Sequence, residues 1–144
     1  MRRFQSVLAG LGIFGALCVS SCNVSGPSAD IGRQIELLVA DNGSERLIRM
    51  SDLGIETWDE IVVYGPYSDP ALPKASALMK ARFARLGIER SDGISAVALG
   101  REGRVVDVGQ VRRDRADLAE INRLIPTDCL RLEEGWPKAT KVTC

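Results

Sequence analysis

Apolar residues recur along this chain at helical spacing in some stretches and at strand spacing in others. Ile31, Ile35, Leu38 and Val39 step by three or four, which predicts an amphipathic helix over Ile31 to Ala40. Asp30 is placed to cap it and Asp41-Asn42-Gly43 to stop it. The competing reading is a strand that ends in an Asn-Gly hairpin turn and leads into Leu47 to Met50. Arg46 to Met50 alternates weakly, as a short strand would, and Ser51 to Gly54 is a turn. Glu60 to Gly65 (EIVVYG) is dense in β-branched residues, so a central strand is expected there, closed by Gly65-Pro66. Leu72, Ala75, Met79, Phe83 and Leu86 then share one helical face. Asp69 suits the cap of that helix, Pro70 its first position and Gly87 its end.

Ile94 to Leu99 and Arg104 to Val111 flank Gly100-Arg101-Glu102-Gly103, the pattern of a hairpin. Asp114 followed by Asp117 introduces a further helix over Arg115 to Ile125, with Leu118, Ile121 and Ile125 inward and Pro126 as its stop. The tail from Cys129 to Cys144 has room for one short strand or an ordered loop. This order predicts an α+β domain of two layers, a mostly antiparallel sheet with about three helices.

The first 21 residues have a different character. Arg2 and Arg3 precede an apolar run from Val7 to Val19, 13 residues long. That is short of the roughly 20 needed to span a bilayer, and it fits a secretory signal. The run closes on Val19-Ser20-Ser21-Cys22, which resembles the lipobox of bacterial lipoproteins at all four positions. The resemblance implies that the chain is cleaved before Cys22 and that Cys22 is lipidated. The rival is a plain signal peptide, cleaved without lipid. Gly10 to Gly15 spells G-x-G-x-x-G, but the fingerprint has meaning only between a strand and a helix. The expected organisation is a signal at 1–21, a tether at 22–29 (small, polar and broken by Gly26-Pro27) and a domain at 30–144.

Removing 21 of 144 residues leaves 123, enough for one domain with its own core. Both lost charges are arginines, so 17 basic residues remain against 19 acidic ones, a net charge of −2. Such a balance offers no field for nucleic acid and no general attraction to anionic lipid. Cys129 and Cys144 are an even pair in an oxidising compartment, and a disulfide between them is expected. Without a Cys-x-x-Cys pair, redox catalysis and zinc have no support.

The chain has no histidine, which removes the common nucleophile triads and the usual base near neutral pH. Carboxylates alone can run acid–base chemistry only as a pair with separated pKa values. Asp59 and Glu60 are adjacent and would point to opposite faces of a strand. Asp107 is expected on the outer face of the hairpin, in solvent. No acidic cluster has calcium-loop spacing, and no cofactor or metal is implied. Arg112-Arg113-Asp114-Arg115 could grip a phosphate, but a solvated face paired with Asp114 and Asp117 explains it better.

The segment that stands out is Trp58-Asp59-Glu60-Ile61-Val62-Val63-Tyr64-Gly65-Pro66-Tyr67, which holds three of the five aromatic residues after the signal. Strand parity would deliver Trp58 and Tyr64 to one face, with Pro66-Tyr67 turning the chain before a helix. The segment resembles a motif of small bacterial secreted proteins and lipoproteins to which no activity is assigned. There a tryptophan and an acid precede a β-branched strand that ends in Pro-Tyr. The likeness runs from Leu47 to about Val111 and is strongest at Trp58, Asp59, Val62, Pro66 and Tyr67.

The motif has two readings. In one, its aromatics are packing residues and Asp59 bonds a nearby backbone. In the other, Tyr67 and Asp69 line a groove with Trp58 as an apolar wall, and the surface of Trp58, Asp59, Tyr64, Pro66 and Tyr67 is a binding site. The expectation that follows is an envelope lipoprotein, non-catalytic, acting as a binding or accessory module. Its partners would be the membrane, through lipid on Cys22, and an envelope protein. Asn23 after Cys22, by analogy with enteric sorting, suggests the outer membrane facing the periplasm; the inner membrane and secretion are the alternatives. The functional alternatives are a periplasmic enzyme built on Asp59 and a second acid, and a small inhibitor or immunity-type protein.

Overall fold

The computed structural model describes residues 30–42, 47–69, 71–133, 135 and 137–144. The expected signal at 1–21, Cys22, the expected tether at 22–29, Pro70 and Trp136 lie outside the described residues. The elements are α1 (Ile31–Asp41), β1 (Leu47–Arg49), β2 (Glu60–Tyr64), α2 (Ala77–Ala84), β3 (Ile94–Arg101), β4 (Arg104–Arg112), β5 (Arg123–Leu124), β6 (Asp128–Leu132) and β7 (Ala139–Thr143). The fold is α+β, and its strands form two antiparallel sheets ordered β1-β6-β7 and β4-β3-β2-β5. There are two α-helices among the described residues, not about three.

The helix reading of 31–40 holds. The Asp30 carboxylate accepts from Arg33 N–H at 3.0 Å, and Asn42 closes the last turn by donating from its side chain to the Leu38 carbonyl at 2.9 Å. The hairpin holds too, with strands longer and a turn tighter than the sequence suggests. Only Glu102 and Gly103 form the turn, both at positive φ (49° and 68°), as a right-twisted two-residue hairpin requires.

β3 explains why a simple two-layer arrangement does not form. Ser95, Ala96, Val97, Ala98 and Leu99 are all buried, so both faces of the four-stranded sheet need cover. One face carries the main core, in which Val97, Leu99 and Ile61 pack with Ile31, Ile35 and Leu38 of α1, with Ile48 and Leu130 of the other sheet, and with Trp58. The opposite face carries a smaller core of Ala96, Ala98 and Val108 with Leu72, Phe83 and Ile88. α1 and α2 therefore lie on opposite faces of the sheet.

The register of β4 slips by one residue, from Leu99↔Asp107 to Gly100↔Val105, and Val106 is the extra residue of a bulge. Val105 and Val108 consequently serve the same face, and Asp107 turns to the other. The expectation of a solvent-facing Asp107 is thereby corrected. One Asp107 oxygen accepts from Ile31 N–H at 2.8 Å, adding a second acid to the N-terminus of α1. The other meets Arg82 of α2 at 2.9 Å.

β4 is an edge strand, and several of its outward backbone groups are occupied. Arg82 donates to the Val108 carbonyl at 3.2 Å, Glu36 accepts from Arg112 N–H at 2.8 Å, and Ala75 bridges to Val105. These contacts blunt an edge that could otherwise pair with another chain.

The predicted helix over Arg115 to Ile125 is absent. Arg115 to Asn122 runs as turns and coil, and β5 follows at Arg123–Leu124, paired with β2. Asp117 decides this. Its N–H donates to the Pro137 carbonyl at 2.7 Å and its carbonyl accepts from Ala139 N–H at 2.9 Å, so its backbone is committed to the chain beside β7 instead of to a helical turn. Leu118 and Ile121 are still buried, delivered by the turns.

α2 begins at Ala77, not near Asp69. Ser76 is the cap and accepts from Met79 N–H at 3.2 Å. Pro73 accounts for the late start, because a proline inside the proposed helix removes a backbone donor and disfavours helix at the residue before it. The tail is a two-stranded hairpin, β6 with β7, and the Cys129–Cys144 disulfide joins its two ends.

Candidate functional site

The aromatic segment does not assemble as one surface. The strand starts only at Glu60, so parity does not extend back to Trp58. Trp58 is 8% exposed and packs in the main core. Tyr64 lies against the other face of the sheet, edge-on to Phe83 with ring centroids 5.2 Å apart. Burial, and then the nearby Glu60 carboxylate, raise the Tyr64 phenol above its ordinary pKa. Asp59 is exposed, and its contacts are with the β3–β4 hairpin. Its N–H donates to the Gly100 carbonyl at 2.9 Å, and its carboxylate accepts from Gly103 N–H at 3.4 Å. Trp58, Asp59 and Tyr64 thus have packing and turn-holding roles.

Pro66 and Tyr67 turn the chain after β2. Tyr67 takes a positive φ of 60°, a conformation that costs a non-glycine residue energy. Its N–H donates to the Ile88 carbonyl at 2.8 Å, and Ser68 closes the turn onto the Gly65 carbonyl at 2.8 Å. The Tyr67 side chain is 65% exposed.

Immediately after this turn the chain forms one wall of an open cleft of about 630 Å³, whose opposite wall is α2 and the turn at Ile88. Leu72, Phe83 and Ile88 form its apolar floor, and Ser68, Asp69, Lys80 and Glu89 stand at its rim. Pro73 makes this cleft possible. By keeping 71–75 out of the helix, it separates two stretches that a continuous helix would have merged. Asp69, expected to line a groove beside a helix start, does line this one; Trp58 does not wall it. Leu72 and Phe83 belong to the apolar stripe visible in the sequence, whereas Lys80, Ile88 and Glu89 are brought to the cleft only by the fold.

The cleft's two carboxylates, Asp69 and Glu89, are both exposed, and Glu89 is engaged by Arg90 at 3.2 Å. Both stand at the open rim of the cleft, in contact with water. Among the described residues, no group of three or more acids, cysteines or histidines is arranged to hold a metal ion.

Two arginines of the run, Arg112 and Arg113, are paired. Arg112 meets Asp114 at 2.5 Å, and Arg113 makes a two-pronged contact with Asp117, both bonds 2.8 Å. Arg113 also donates to the Asp92 carbonyl at 2.8 Å. The Arg113 hydrogen bonds, and then the Ala119 N–H, hold the Asp117 carboxyl below its ordinary pKa against the opposing effect of burial. The pair with Asp117 is therefore an internal staple, not a solvated helix face. No family model matches this chain, and no curated protein or solved structure is significantly similar to it.

Proposed function

We propose that this protein is an envelope lipoprotein, held at the outer membrane by lipid on Cys22, whose domain is a non-catalytic binding or accessory module. Its capture site is the cleft between Ser68, Asp69 and Ala71 to Pro73 on one side and α2 on the other, with Tyr67 exposed beside it. The observation that carries the reading is the cleft itself. An apolar floor of Leu72, Phe83 and Ile88 under a mixed-charge rim suits a ligand or partner segment with an apolar body and polar ends. The strained Tyr67 turn that opens it is where stored strain is expected to serve function. The anchor rests on the sequence Val19 to Cys22. Several acyl chains on one cysteine would hold the domain firmly, where a single chain holds only marginally.

Two experiments test the two halves. Metabolic labelling with a fatty-acid probe should mark the native chain and not Cys22→Ala; a native chain that stays blank refutes the anchor. A photo-crosslinker at Lys80 in intact cells should give a defined adduct that Ala71→Trp, which fills the cleft, abolishes. An adduct unchanged by Ala71→Trp, or none at all, refutes the capture site.

A further inference from the structure

We infer that the margin formed by the β4 bulge and the exposed side of α2 is the surface this domain lays on its membrane, with Leu78 and Val106 entering the interfacial layer. The inference rests on the anchoring of Cys22. Leu78 is 65% exposed and Val106 is 40% exposed. Either alone would be ordinary, but they share one margin. Ala75 bridges to Val105 and Arg82 reaches Asp107 and Val108, so α2 runs alongside β4. Leu78 lies one helical turn before Arg82, between the two residues, Ala75 and Arg82, that reach Val105 and Val108.

The chain enters the fold at this same margin. Ile31 N–H is held by Asp107 at 2.8 Å, and the Asp30 carboxylate lies against Gly109, whose missing Cβ would stand 2.5 Å from it. Cys22 is eight positions before Asp30, and eight extended residues reach at most about 29 Å. A lipid on Cys22 therefore keeps the start of α1, and with it Asp107 and Gly109 of β4, within that reach of the bilayer. Lys74 and Arg104, both exposed, stand at the near end of the hairpin, where their long side chains can meet lipid phosphates while apolar neighbours insert. Glu102 and Asp59 are exposed acids at that end and Asp30 is one at the chain's entry; Asp59 accepts from Gly103 N–H, Asp30 caps α1, and Asp107 is occupied by Arg82.

The test uses the full acylated chain in nanodiscs of phosphatidylethanolamine and phosphatidylglycerol that carry a nitroxide on the lipid headgroup. Amide NMR signals of residues 77–82 and 103–108 should be lost first, while those of β6 and β7 persist. The double variant Leu78→Glu/Val106→Glu changes only exposed positions. It should keep its melting temperature and its anchor yet lose this pattern, and Val106→Glu alone should weaken it. Strongest loss at β6 and β7, or an even loss across the native domain, overturns the docking surface while leaving the anchor intact. An intact mass without acyl groups overturns both.

Discussion

Gly32 in the first turn of α1 sits directly on the backbone of Gln110 in β4. A Cβ at Gly32 would stand 2.5 Å from the Gln110 carbonyl carbon and closer still to its oxygen. A helix interior normally gains about 1 kcal/mol when glycine becomes alanine. Here the obstacle is strand backbone, which cannot rotate away, so the sign reverses. Gly32→Ala is expected to cost about 3 kcal/mol and to disturb the Asp107 and Glu36 contacts that register α1 on β4. Urea unfolding measures it; a stabilised Gly32→Ala would show that α1 is not seated this closely.

Asp117 ties Arg113 to the chain beside β7, so it should carry weight beyond an ordinary surface ion pair. Asp117→Asn weakens two charge-assisted bonds in a largely buried setting, and a loss of about 2 kcal/mol at neutral pH is expected. The carboxyl's pKa is lowered in the fold, chiefly by Arg113. Its contribution is therefore complete above the unfolded value near 4 and is lost as pH falls through the lower folded value. A stability–pH curve for Asp117→Asn should show a shallower acid limb below about pH 4 than the parent. Parallel acid limbs would contradict this.

The disulfide joins a buried cysteine, Cys129, to the exposed terminal Cys144. It closes a loop of 15 residues, worth about 3 kcal/mol on the chain-entropy account. Reduction should lower stability by that order and loosen β7 first, visible as faster amide exchange over Ala139–Thr143. Cys129→Ser should cost about 1 kcal/mol more than Cys144→Ser, because it also buries a hydroxyl in the core. Equal losses would mean that the two sites differ less in burial than they do here.

Ser95 makes a test of the opposite sign. It is fully buried in β3 opposite Val111, and its hydroxyl has no hydrogen-bond partner among the described residues. Ser95→Ala removes an unsatisfied polar atom at little cost in volume, so a gain of about 1 kcal/mol is expected. The urea midpoint should rise with the slope unchanged; a fall would reveal a partner for the hydroxyl in solution.

Local rules accounted for the parts of this protein whose signals agree with their surroundings. The period of Ile31, Ile35, Leu38 and Val39 specified α1, the β-branched run specified β2, the glycines marked the hairpin, and the pair Cys129 and Cys144 specified the disulfide. Pro73 is the one local signal that conflicts with the apolar stripe around it, and it holds back the start of α2 to Ala77 and opens the cleft. Long-range contacts decided the rest. Asp117 carries a good helix-start pattern, but its backbone bonds to Pro137 and Ala139 and its side chain to Arg113, and these outweigh a propensity of a few tenths of a kcal/mol per residue. The bulge at Val106 sends Asp107 to α1 and Arg82, and the strand's start at Glu60 leaves Trp58 and Tyr64 in different cores. Periodicity along a chain fixes which residues seek burial, but not which of two sheet faces receives them, because that choice depends on partners far away in sequence.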